Sequence, residues 1–275
     1  VLVVLGISSL ITPLKVKSRI VRRDVPLLIA ISCAVWAMSS TGILTWQAGI
    51  FLLFCLIINT IWEINTINEK DEDAKTAEPE IDEKSLGQKN INILFKLLFG
   101  ISLLALGSNI LVSGSKTLAL ILGANETIIG LTIVATGTSL PELVTSIIAA
   151  FKGKTDLAIG NVIGSNLLNQ LLILGSCSIF SGLDGLFINK TLINTDLPIM
   201  VLTTFACMPI FWTKGKITRL EGFILLNIYI FYILDKIIFI NKAFPLDQYR
   251  ISIFVYAIIF SIFLLIKEKS KPIKL

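Results

Sequence analysis

The sequence predicts an all-α integral membrane protein built from two inverted five-helix repeats, the first incomplete, with one extra helix at the C-terminus. Three observations carry that prediction. The 275 residues are 54% hydrophobic with a mean hydropathy of +0.84, which is the range of membrane proteins. Apolar runs of about 20 residues recur, the length a helix needs to cross roughly 30 Å of hydrocarbon. The first 65 residues also repeat the end of the chain.

The spans follow in order. Val1–Leu10 reads as the end of a helix. Val25–Ser40, Trp46–Ile64, Ile91–Val112, Thr127–Phe151, Leu157–Phe180, Leu197–Trp212, Leu220–Ile240 and Ile251–Ile266 are the further apolar runs. Residues 1–64 are then the last three helices of a first repeat, 91–241 a complete second repeat, and 242–275 the extra helix with a basic tail. Between the halves lies Asn65–Asn90, containing EKDEDAKTAEPEIDEKS, acidic, polar and free of aromatics. Such a segment buries nothing and reads as an aqueous linker.

Loop charge orients the spans. One side collects Lys15, Lys17, Arg19, Arg22, Arg23, Lys70, Lys75, Lys84, Lys89, Lys96, Lys152, Lys154, Lys214, Lys216, Arg219, Lys267, Lys269, Lys271 and Lys274. The other side has Lys116, Lys190, Lys236, Lys242 and Arg250. The first side, linker included, is expected to be cytoplasmic, in a bacterial inner membrane. The net charge of +5 sits in short loops and is no nucleic-acid footprint. Cys33, Cys55, Cys177 and Cys207 lie singly in apolar segments, with no CxxC pair, and read as small core residues. Without a single histidine, a Ser-His-Asp triad, a Cys-His dyad and a histidine metal site are excluded within this chain. No cofactor is expected.

The repeat rests on three anchors in the same order. Leu2–Ile11 aligns with Leu171–Phe180, matching Gly6 to Gly175. Asp24-Val-Pro aligns with Asp196-Leu-Pro, and Gly49 with Gly222. Five helices per copy is an odd number, so the second copy enters the membrane upside down, as in many secondary transporters. Residues 91–170 find no partner, because Val1 aligns with Gln170. The expectation is an N-terminally truncated chain whose binding site needs the missing half of the first repeat.

The chemistry concentrates in TGTSLPELVTSIIAAFKGKTDLAIGNVIGSNLLNQLL, residues 136–172. Glu142 stands there beside Pro141, in sequence apolar enough to span. A charge at mid-bilayer costs roughly 2.5–3.5 kcal/mol on insertion scales, so such a residue is expected to face something polar. Pro141 has no N–H and displaces the carbonyl four residues back, at Gly137, where Thr138 and Ser139 can also loosen the turn. Ser165 and Asn169 are four apart and share a helix face. Oxygen donors without histidine suit a hard cation, Na⁺ or Ca²⁺. Gly160 and Gly164, by contrast, read as close helix packing, and Gly107-Ser108-Asn109 as packing too. Asp196 and Asp235 read as solvated helix-end acids, and Glu221 as an acid at the cytoplasmic start of its helix that should tolerate Gln.

GTSLPEL followed by GNVIGSNLLN resembles the second repeat motif of the sodium/calcium exchanger family, especially its short bacterial members. The match covers residues 91–240, and the first 64 residues look like the last three helices of that family's first half. The resemblance implies a sodium/calcium exchanger-like fold and a central site of two glutamates. It implies Glu142 as the central carboxylate, and Thr138, Ser139, Ser165 and Asn169 as further oxygen ligands. The backbone carbonyl of Ala135 joins them. Asn169 stands where some members carry Asp, which leaves potassium dependence open. The function implied is antiport of Ca²⁺ for Na⁺ by alternating access across the lipid bilayer. The alternatives are cation/H⁺ antiport with Glu142 carrying the proton, or a remnant that does not transport. An intramembrane hydrolase with Ser139 as nucleophile would need a general base, for which Glu142 is a weak substitute; the chain reads as no enzyme.

Overall fold

The computed structural model describes residues 1–17, 19–74, 86–121, 129, 134–212 and 215–240. The expected helix at Ile251–Ile266 and the loop before it lie outside these residues, as does the middle of the acidic linker. Helices α1 (Leu2–Ile11), α2 (Val25–Ser39), α3 (Trp46–Ala74) and α4 (Leu86–Ile121) come first. Helices α5 (Ala135–Thr138), α6 (Leu140–Phe151), α7 (Thr155–Leu168) and α8 (Gly175–Phe180) follow. The last two are α9 (Leu197–Trp212) and α10 (Arg219–Ile240). Four two-residue strands pair as ribbons, β1 (Leu14–Lys15) with β4 (Lys216–Ile217) and β2 (Ile43–Leu44) with β3 (Leu186–Phe187).

Among the described residues, four helical stretches are long and apolar enough to cross a membrane: Trp46–Thr66, Leu94–Ile121, Thr155–Phe180 and Leu192–Phe211. Leu2–Ile11 and Leu140–Phe151 are shorter apolar helices. Bulky side chains on α3 and α4 stand exposed, among them Phe54, Trp62, Phe95 and Ile110. Contiguous apolar exposure on this scale suits a lipid solvent. Helix α3 does not stop at Ile64; it runs on through the first part of the linker to Ala74, and α4 begins at Leu86.

The chain forms two compact units, one from Val1–Leu52 with Glu142–Leu275, the other from Leu53–Pro141. Within the first unit the duplicated segments are visible in the packing. Exchanging the two copies turns β1 into β3 and β2 into β4, so the pairs β1–β4 and β2–β3 map onto each other. Gly42 and Gly215 precede β2 and β4 with φ of 88° and 59°, a conformation that favours glycine. Helix α1 packs on α10, and α2 on its own counterpart α9. The aligned glycines mark the crossings: a Cβ on Gly222 would come within 2.9 Å of the Gly6 carbonyl, and one on Gly49 within 2.6 Å of the Gly175 carbonyl.

The shared Asp-x-Pro has a local consequence. Pro26 cannot give an N–H to the carbonyl four residues back, and its ring crowds that carbonyl. The preceding turn, Ile20–Asp24, widens instead into a π-turn closed by the Val25 N–H on the Ile20 carbonyl. Before Pro198 the segment Leu192–Asp196 does the same, closed by Leu197 on Leu192.

Several side chains sit otherwise than expected. Gly160 and Gly164 have no described atom within 4 Å of a built Cβ, so they are not packing glycines among the described residues. Cys177 is exposed rather than in the core, and all four cysteines are free. Asp196 is half-buried and accepts a hydrogen bond from the Tyr232 hydroxyl at 3.2 Å. Glu221 is 2% exposed. It closes a capping box at the start of α10, accepting from the Thr218 N–H at 2.7 Å and hydroxyl at 3.0 Å, while its own N–H donates to Thr218 Oγ1. Gln in its place can still make that box.

Candidate functional site

The helix carrying the motif breaks at Ser139, whose φ of −89° and ψ of 4° end α5 before α6 starts at Leu140. That is the break which Pro141 imposes. The carbonyl four residues before the proline, Gly137, accepts a hydrogen bond from Ser108 Oγ of α4. A Cβ at Gly137 would collide with the Val112 side chain of the same helix. The GSN letters at 107–109 therefore do more than pack: Ser108 satisfies a carbonyl that the helix leaves free. Ala135 opens α5, while Thr138 and Ser139 are exposed side chains at its end. All three belong to the unit Leu53–Pro141.

Glu142, in the first turn of α6, belongs to the other unit. Its Oε2 is a buried atom with no hydrogen-bond partner among the described residues. A buried carboxylate oxygen left unpaired is costly, on the order of 1–3 kcal/mol or more. The rest of the turn is firmly held. The Glu142 main-chain carbonyl accepts from Thr145 Oγ1 at 3.1 Å and from Asn161 Nδ2 at 3.2 Å. Asn161 Nδ2 also lies 3.0 Å from Thr145 Oγ1 and 2.9 Å from Ser146 Oγ. Ser146, fully buried, donates onward to the Ala158 carbonyl at 3.4 Å.

Asn161 was not singled out from the sequence, although it lies in the GNVIGSN run. Its signal is its spacing: Asn161, Ser165 and Asn169 follow at intervals of four along α7 and its end. The side chain ties α7 to the turn bearing Glu142. Ser165 donates its hydroxyl proton back to the Val162 carbonyl at 3.1 Å. That leaves the oxygen lone pairs as the group it can present. Asn166, in contrast, is turned to its own helix, with Nδ2 on the Val162 carbonyl at 2.7 Å. Asn169 is exposed and opens a second kind of π-turn, Asn169–Leu174, which has no proline behind it. Such turns recur at functional positions in helices. Among the described residues no group of three His, Cys, Asp or Glu comes together. The chemistry on offer is one carboxylate with neutral oxygens, a donor set for a hard cation.

The family profile described as sodium/calcium exchanger protein matches residues 93–238. CaxA, a putative antiporter of Alkalimonas amylolytica, is 34% identical over 249 residues, 84% of this chain and 73% of its own length. A sodium/calcium exchanger of Methanosarcina acetivorans is 36% identical over 144 residues, 51% of this chain and 39% of its own. The solved sodium/calcium exchanger from Methanococcus jannaschii superposes with a TM-score of 0.65 at 26% identity, over 85% of this chain and 70% of that one. With a profile spanning more than half of its length and a relative of this identity and coverage, the chain belongs to the sodium/calcium exchanger family, multi-pass membrane cation exchangers and not enzymes.

Proposed function

We propose that the protein exchanges Ca²⁺ for Na⁺ by alternating access, with Glu142 as the central carboxylate of a site at the middle of the membrane. The unpartnered Oε2 of Glu142 carries this reading, because a bound cation would supply the missing partner. Ser165 of α7 and Asn169 of the π-turn that follows it are its proposed neutral ligands. Thr138, Ser139 and the Ala135 carbonyl are proposed as further ligands from the motif sequence alone. Ca²⁺ takes six to eight oxygens, and a single carboxylate leaves half its charge uncompensated. The equivalent turn of a first repeat is the proposed source of a second. Two carboxylates would equally serve several Na⁺, and competition for shared ligands couples the ions.

The same unpaired oxygen supports a second reading, cation/H⁺ antiport, in which Glu142 takes the proton. Vesicles containing the protein purified as its host expresses it separate the two. An outward Na⁺ gradient is expected to drive ⁴⁵Ca²⁺ uptake at constant pH, and an outward H⁺ gradient without Na⁺ is expected not to. Uptake that follows the pH gradient alone assigns the coupling to protons.

The proposed setting is the bacterial inner membrane, with Asn65–Asn90 in the cytoplasm, from the uneven distribution of basic residues. Ala74→Cys in a cysteine-free background is expected to react with an impermeant thiol reagent only after the cells are opened. Labelling from outside intact cells reverses the orientation.

A further inference from the structure

The β1–β4 ribbon holds two like charges face to face. In its register Leu14 lies opposite Ile217 and Lys15 opposite Lys216. Leu14 and Ile217 are 0% exposed and anchor the ribbon; Lys15 and Lys216 stand exposed on its other face. Like charges directly opposite in an antiparallel pair destabilise it. The fold does not require them: the equivalent ribbon, β2–β3, places Ile43 opposite Phe187 at the matching positions.

The surroundings add to the positive charge. The Val16 N–H donates to the Gly215 carbonyl at 2.8 Å and extends the ladder by a residue. Lys17 therefore faces the same side as Lys15. Its Nζ lies 2.8 Å from Asp156 Oδ2, in the first turn of α7. That contact brings the ribbon to the α6–α7 turn, where Lys152 and Lys154 are exposed. Arg219, heading α10, places Nη2 3.3 Å from the Ile11 carbonyl at the end of α1. The nearby acids are engaged, Asp156 by Lys17 and Glu221 inward by Thr218.

We propose that this ribbon is a binding site for the phosphate of an anionic phospholipid, with Lys15 and Lys216 as its central pair. The charges lie where α1 and α6 end and α10 begins, the level at which headgroups meet a membrane protein. Basic clusters there attract anionic lipid by about 1 kcal/mol per lysine, and the compact ammonium suits a phosphate oxygen. A loop-charge rule accounts for lysines on this side. It does not account for two of them being paired across a ladder.

The test uses the purified chain in a neutral detergent, titrated with phosphatidylglycerol or phosphatidylcholine and read by native mass spectrometry. Selective retention of phosphatidylglycerol is expected. The Lys15→Gln/Lys216→Gln variant should lose affinity by about thirtyfold, the effect of two such lysines. Lys15→Arg/Lys216→Arg should keep it, as should Lys116→Gln on α4. Glycerol phosphate and inorganic phosphate at millimolar concentration should not displace the lipid. Equal retention of phosphatidylcholine, an unchanged affinity in the double Gln variant, or displacement by inorganic phosphate overturns the proposal. If the double Gln variant does not fold, the single variants Lys15→Gln and Lys216→Gln decide: each is expected to lose about fivefold, and unchanged affinity in both overturns the proposal.

Discussion

Glu142→Gln is expected to abolish Na⁺-driven ⁴⁵Ca²⁺ uptake while leaving membrane insertion and expression near the unmodified level. Gln keeps the shape and part of the hydrogen-bonding capacity of Glu but removes the charge. The partner that Oε2 lacks is, on the proposed reading, a cation. Loss of a full charge at contact distance in a poorly screened site weakens binding on the order of a hundredfold or more. Ser165→Ala and Asn169→Ala each delete one neutral oxygen, at about 1 kcal/mol or fivefold in affinity. Asn161→Ala tests a different element. It touches no proposed ion but releases the Glu142 carbonyl, Thr145 and Ser146 together. The expected result is normal expression with a Ca²⁺ KM raised by about tenfold, from a carboxylate held less firmly. Uptake normalised to protein in membranes, from the protein as its host expresses it, measures all four. Wild-type-like uptake by Glu142→Gln would sink the ion-site assignment.

A second large effect is expected from the crossing glycines. Gly49→Ala presses a methyl group to 2.6 Å from the Gly175 carbonyl, and Gly222→Ala to 2.9 Å from that of Gly6. Both carbonyls are backbone, which shifts only if whole helices part, and at Gly222 the methyl also collides with the buried Ser9 hydroxyl. Overpacking of this kind costs about 1–3 kcal/mol or more. Each variant should melt well below the unmodified protein in detergent and lose monodispersity. Gly160→Ala and Gly164→Ala meet no described atom within 4 Å. They should melt unchanged or slightly higher, because Ala is the better helix former by roughly 0.5–1 kcal/mol. If Gly160→Ala unfolds the protein and Gly222→Ala does not, the packing described here is wrong.

That contrast shows where sequence reasoning stops. Small residues four apart resemble a packing seam whichever way the helix faces, and the pattern at Gly160 and Gly164 carried no information about what stands opposite. The repeat anchors did carry it, though only as an alignment. Gly6 with Gly175 and Gly49 with Gly222 were visible as equivalent pairs. That they cross as Gly6 against Gly222 and Gly49 against Gly175 needs the two-fold exchange of copies in space.

What the chain determined alone is what depends on near neighbours and on solvent. Apolar runs of spanning length dictate a membrane protein, since only there can so much apolar surface stay exposed. Pro141 dictates the break at Ser139 because a missing N–H and a crowding ring act within one turn. The tertiary structure decided the rest, because those choices join residues far apart in sequence. Ser108 meets the carbonyl freed at Gly137, 29 residues away. Asn161 holds the Glu142 turn from 19 residues on. Two-residue ribbons are too short to leave a pattern of period two, so Lys15 beside Lys216 is invisible until the strands pair.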